Sequence, residues 1–177
     1  MRHYHCGSAR LGVLAVLAAT AAGCERPAGE LLAPEPALVV VGEPRLVTGS
    51  GHIEAGDGLR NFTFHAMLRP DGSAEGSYQI HRTDLGTVFS VDVTCLAIVG
   101  NQAWIAGIIA STNDPTVRVG TVSYFYAIDN GEGIDAPADV VSLARINDLA
   151  GRDIEFCTNN PTVLPPRQVQ LGGVQIR

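Results

Sequence analysis

The sequence predicts an all-β domain: a single antiparallel barrel of about eight strands or, alternatively, a two-layer β-sandwich. Three observations carry this. From about Arg45 onward apolar and polar residues alternate with period two, turn residues interrupt the alternation at short intervals, and no stretch of ten residues carries a convincing helical period.

The first strand, 45–55, runs into the turn Gly56-Asp57-Gly58 and pairs as a hairpin with a second, 59–69. In the second strand Phe62, Phe64, Ala66 and Leu68 line one face and Asn61, Thr63, His65 and Arg69 the other, with Met67 the exception. Pro70-Asp71-Gly72-Ser73 then turns into a third strand, 74–82. The fourth strand, 86–99, places Val91, Val93, Cys95 and Ala97 on one face and Leu96 and Ile98 on the other, which predicts cover on both sides of the sheet at one end. Gly100-Asn101 is a two-residue hairpin signal leading to 102–111. After the loop 112–120 come a strand at 121–129, an acidic turn at 130–139, a strand at 140–146, a polar stretch at 147–166 and a last strand at 167–176. Gly172-Gly173 marks a bulge in that last strand. Every connection up to residue 139 is short enough for nearest-neighbour pairing, which favours the barrel, and closure removes the open edges that invite aggregation. About 130 residues bury one core, so 44–177 is one domain.

Ahead of it, Arg2 and Arg10 flank a short positive start, and Leu11 to Ala22 form a run of apolar or small residues. The run is shorter than the ~20 residues that span a bilayer and matches the hydrophobic region of a signal peptide over 1–23. It ends in Ala21-Ala22-Gly23-Cys24, which resembles the bacterial lipobox, in which small residues admit the peptidase and the Cys24 thiol accepts diacylglycerol. Ala21 stands where the lipobox usually has Leu, so cleavage that releases a secreted protein stays open. Residues 24–43, with three prolines, read as a lipidated start and a tether, along which Leu38 to Val41 could dock as an edge strand. Loss of 1–23 leaves ten arginines against eighteen acidic residues, a formal charge of −8. Such a chain repels phosphate backbones and anionic headgroups, so nucleic acid is excluded and membrane attachment falls to the lipid. The expected place is the bacterial cell envelope.

With Cys6 in the signal and Cys24 lipidated, Cys95 and Cys157 remain as a pair that oxidises outside the cytoplasm or stays as two buried thiols.

Several segments share a pattern: Phe62-Thr63-Phe64, Thr94-Cys95-Leu96, Gly100-Asn101-Gln102-Ala103, and Asp129-Asn130-Gly131-Glu132-Gly133 through Asp139. In these the chain resembles the post-COAP-type secreted bacterial β domains, with their Phe-x-Phe strand, Gly-Asn-x-Ala hairpin and Asp-x-Gly-Glu turn. The resemblance implies a β fold and transfers no catalytic residue.

The acidic turn gathers Asp129, Asn130, Glu132, Asp135 and Asp139, hard oxygen ligands of the type Ca²⁺ takes, in a spacing unlike the EF-hand and in a sequence that is also an ordinary hairpin turn. His52, Glu54, His65 and His81 could meet across strands as Zn²⁺ ligands or lie on a solvated face. Trp104, Tyr78, Tyr124 and Tyr126 are candidates to line a pocket for a small apolar or saccharide ligand, or to fill the barrel. Gly-x-Ser-x-Gly is absent from the sequence. Two functional classes follow: a non-enzymatic module that binds a ligand or an envelope protein or serves structurally, and a hydrolase with its site in the barrel mouth. A buried His–carboxylate pair in the mouth would mark the second.

Overall fold

In the computed structural model, which describes residues 42–149, 151–161 and 164–177, ten strands form one antiparallel sheet. They are β1 Arg45–Glu54, β2 Leu59–Leu68, β3 Ala74–Arg82, β4 Thr87–Val99, β5 Gln102–Thr112, β6 Val122–Ile128, β7 Val140–Ser142, β8 Arg145–Asn147, β9 Pro166–Gln168 and β10 Gln170–Ile176. A helix, α1 Arg152–Asn159, lies between β8 and β9. Along the sheet the order is β10-β1-β2-β3-β4-β5-β6-β7-β9, with β8 beside β6. β9 and β10 end that order yet are joined through Val169 alone, so the sheet curls into a nearly closed barrel. One continuous sheet decides for the barrel over the sandwich. The barrel's chain ends meet: Leu46 and Arg177 exchange both backbone hydrogen bonds, at 3.0 and 2.9 Å.

The eight segments read from the sequence become ten because two of them break. In the segment 140–146, three residues (Ser142 to Ala144) oppose two of β6, and the extra residue parts β7 from β8. The segment 167–176 parts at Val169, so that β9 pairs with β7 and β10 with β1. The bulge marked by the glycine pair falls at Leu171-Gly172, two residues opposite the single Gly51. A Cβ on Gly172 would overlap the Ser50 carbonyl oxygen.

A third irregularity corrects the face assignment in β4. Val93 pairs with Gly107 and Cys95 with Ala106, so Thr94 is an extra residue and the side-chain parity inverts there. Phe89, Val91 and Val93 point into the barrel, then Leu96 and Ile98 do, while Cys95 and Ala97 pack on its outer face. A single strand thereby serves two cores, which explains why both parities read as apolar. The interior core holds Phe62, Phe64, Tyr78 and Phe125, with Tyr78 meeting Phe125 edge-on at 5.0 Å. The second core lies outside, where α1 covers β4, β5 and β6.

That helix falls in the stretch expected to be polar and irregular. Eight residues with Gly151 at the N-cap and no side-chain cap give little signal, and only Asp153, Phe156 and Cys157 are buried. Cys157 bonds to Cys95 across a 62-residue separation, with Cα atoms 6.2 Å apart. In the chain-entropy account such a loop adds about 4 kcal/mol to stability. Thr94 Oγ1 donates to Asp153 Oδ2 at 2.6 Å, so the bulge residue also fastens the helix.

Candidate functional site

At the end of the barrel formed by the β1–β2 turn, the β3–β4 turn and the loop after β5, the interior stays open. The inward face of β2 runs Ala66, Phe64, Phe62 and then Arg60; that of β3 runs Tyr78, Ile80 and then Arg82. Period two therefore carries two guanidinium groups into the mouth, above the apolar core. Arg60 is 8 % exposed and fully engaged: Nη2 donates to Asp57 Oδ1 at 2.7 Å and Nη1 to Asp84 Oδ1 at 2.8 Å. Gly58 makes room for this, because a Cβ there would lie 2.8 Å from Asp84 Cγ. The triad ties two turns together.

Arg82 is matched less well. Its Nη1 stands 3.6 Å from Asp114 Oδ2 and its Nη2 3.8 Å from Asp57 Oδ2, both beyond hydrogen-bond range, and Nε has no hydrogen-bond partner among the described residues. Asp114 is 5 % exposed, and its Oδ1 accepts from Thr116 Oγ1 at 2.6 Å and Thr116 N at 2.9 Å. Those two bonds, helped by Thr87 and Arg82 and opposed by burial, hold its carboxyl below the usual carboxylate range. The rim thus contains three carboxylates (Asp57, Asp84, Asp114) against two guanidiniums.

Beneath the rim lies a cavity of about 280 Å³ whose apolar wall includes Ile53, Ile80, Phe89, Val117, Leu143 and Ala144. The bulge between β7 and β8 supplies the last two, so the break in that strand shapes the cavity. An apolar wall with a few convergent charges at its opening is the usual build of a small-molecule site. Among the described residues no histidine or cysteine lines it.

The residues singled out from the sequence lie elsewhere. The four aromatics do not converge on one site. Tyr78 is fully buried inside the barrel, where burial pushes its hydroxyl pKa up. Trp104, Tyr124 and Tyr126 are on the outer face against α1. Trp104 Nε1 donates to the Pro161 carbonyl at 3.0 Å and Tyr126 Oη to the Leu164 carbonyl at 3.2 Å, so both hold the segment after α1 onto the barrel. Tyr124 is half-buried with its ring centroid 4.6 Å from that of Phe156.

The acidic turn closes the opposite end of the barrel. Asp139 Oδ1 accepts from Asn130 N at 2.8 Å and Oδ2 from Val174 N at 2.7 Å. Asp129 Oδ1 accepts from Gly131 N at 2.8 Å and Oδ2 from Ile176 N at 2.9 Å. Val174 and Ile176 are on the edge of β10 that no strand among the described residues covers, so two carboxylates take the place of a strand along the seam. Asn130 Nδ2 donates to the Ala138 carbonyl at 2.7 Å, Glu132 Oε1 accepts from Gln175 Nε2 at 3.0 Å, and Asp135 is exposed.

Strand register puts His52 and His81 in one row on the outer face, on either side of Asn61, with Glu54 beyond His52; His65 is four residues farther along β2, about 13 Å away. Among the described residues no three His, Cys, Asp or Glu side chains are grouped to hold a metal ion. Cys24 and the segments 1–23 and 24–41 lie outside the described residues.

The mouth residues Arg60, Arg82 and Asp114 went unread in the sequence. An arginine at the apolar parity of a strand, as in Arg60-x-Phe62-x-Phe64 and Tyr78-x-Ile80-x-Arg82, is the signal that finds two of them; Asp114 sits in a loop and has none. Compared with protein-family models, curated proteins and solved structures, the chain has no significant match.

Proposed function

We propose that this chain is an exported bacterial envelope protein, lipid-anchored at Cys24, whose β-barrel is a non-enzymatic binding module with its site in the mouth. The observation that carries the binding reading is the cavity of about 280 Å³ with an apolar wall and incompletely paired charges at its rim. Export is supported by the Ala21-Ala22-Gly23-Cys24 box after its apolar run and by the Cys95–Cys157 bond, a linkage typical of oxidising compartments. The acidic charge supports attachment through lipid rather than through a basic face. The likeness to the post-COAP-type domains accords with an exported β module and adds no activity to it.

Two experiments test the two halves. Metabolic labelling with a palmitate analogue in a bacterial host should mark the wild type and spare Cys24→Ser; equal labelling of both refutes the anchor. A panel of small amphiphiles followed by amide chemical shifts should move Ile53, Ile80 and Leu143 together, and Ala144→Trp, which fills the cavity, should abolish the response. Shifts that survive Ala144→Trp refute the mouth as the site.

A further inference from the structure

The sign of the charge at the mouth narrows the ligand further, given the reading of the mouth as a binding site. Arg60 is consumed by Asp57 and Asp84, each within 2.8 Å. That leaves Asp114 and the second oxygen of Asp57 facing one guanidinium, Arg82, at 3.6 and 3.8 Å. Three carboxylates against two arginines leave one negative charge uncompensated. The neighbouring exposed pair, Arg118 and Asp148 at 3.2 Å, is neutral in sum and does not alter this. Asp114 is the focus of the excess: the side chain is 5 % exposed, Oδ1 accepts twice from Thr116, the Thr87 hydroxyl also favours the ionised carboxyl, and the one cation facing Oδ2, Arg82, stands 3.6 Å away. A carboxylate oxygen whose cationic neighbour lies beyond hydrogen-bond range keeps acceptor capacity for a charged donor, and such a charge-assisted bond is stronger than a neutral one. It lines the cavity whose other wall is apolar.

We infer that the mouth binds a small organic monocation, with an ammonium-type head donating to Asp114 Oδ2 and an apolar body against Ile80, Phe89 and Leu143. A carboxylate or phosphate head would face Asp57, Asp84 and Asp114 with only Arg82 in its favour, which disfavours it. A cavity of about 280 Å³ admits only a ligand at the small end of the usual range of ~300–1,000 Å³. An apolar body alone would leave Asp114 Oδ2 as it was.

Three probes of one shape and different charge separate these cases: 2-phenylethylammonium, 3-phenylpropanoate and 2-phenylethanol, each titrated against the folded, oxidised domain with amide shifts and calorimetry as readouts. The ammonium should bind most tightly and saturate the mouth signals. Asp114→Asn should weaken it about tenfold, while Arg82→Gln, which removes the competing cation, should strengthen it severalfold. Because Asp114→Asn removes a nearly buried charge, its fold is checked by circular dichroism; if it fails to fold, Arg82→Gln carries the test alone. Tighter or equal binding of the carboxylate or the alcohol at the mouth overturns the cation and leaves the site standing. Weaker ammonium binding in Arg82→Gln also overturns the cation. Silence of the mouth signals with all three probes overturns the site as well.

Discussion

The two ends of this barrel each concentrate carboxylates, and they use them oppositely. At the seam, Asp129 and Asp139 point all four of their oxygens at backbone amides of the turn and of β10. At the mouth, the Oδ1 atoms of Asp57 and Asp114 are taken by Arg60 and Thr116, but their Oδ2 atoms face the Arg82 guanidinium only beyond hydrogen-bond range. Carboxylate density along the chain is greater at the seam, yet spare acceptor capacity is greater at the mouth. Ligand capacity therefore follows from what the oxygens already hold, not from how many carboxylates the sequence gathers.

Removing a seam carboxylate should show this most plainly. Asp139→Ala leaves the amides of Asn130 and Val174 without their acceptor, and with each charge-assisted bond contributing upwards of 1 kcal/mol we expect a loss of about 3 kcal/mol in urea unfolding. A loss below about 1 kcal/mol would mean that water replaces the carboxylate freely and that the seam is not closed by it. Next in size is Arg60→Ala at the mouth, where two carboxylates lose their partner and the apolar stem is lost from the wall; about 2 kcal/mol is expected. Arg60→Met should recover at least half of that if packing of the stem is the larger part.

Asp114 gives a smaller, pH-dependent effect. Its folded-state pKa is depressed, so the stability it contributes is complete above the ordinary carboxylate value of 3.8 and is lost as pH falls through its lowered value. Between about pH 6 and about pH 3 the melting temperature of the wild type should fall more than that of Asp114→Asn. Parallel curves for the two proteins would remove Asp114 from the set of strongly held carboxylates. The smallest effect belongs to calcium. With the seam oxygens taken by amides, melts in excess Ca²⁺ and in chelator should agree within about 1 °C, and Asp135→Asn should change neither. A separation of several degrees would restore the turn as a cation site.

How far the sequence could be read depends on the same distinction between local pattern and long-range fit. The Phe62-Phe64-Ala66 alternation and the Gly100-Asn101 turn are local, and they placed β2 and the β4–β5 hairpin within a residue or so of their observed ends. The pairing of Cys95 with Cys157 was legible only through the expectation that Cys6 lies in a signal peptide and Cys24 carries lipid, since four cysteines allow three connectivities. The extra residue Thr94 was not, because nothing in Val93-Thr94-Cys95 distinguishes a bulge from a regular strand until the partner Gly107-Ala106 is known. Helix α1 escaped for a related reason: it is short, uncapped by a side chain, and held by the disulfide, Thr94 and the barrel wall rather than by its own propensity. The mouth was half legible, since Arg60 and Arg82 break the apolar parity of their strands, whereas the loop residue Asp114 meets Arg82 only after the barrel has closed.

The meeting of Leu46 with Arg177 makes the strand order of the barrel nearly cyclic. A circular permutant that joins Arg177 to the start of β1 through a few glycines, and opens the chain at the exposed Asp71-Gly72 turn, would keep every strand pairing, the disulfide and both ends of the barrel. In such a protein the new termini would leave beside the seam, at the end of the barrel away from the mouth, so a reporter fused to either of them would leave the cavity unobstructed.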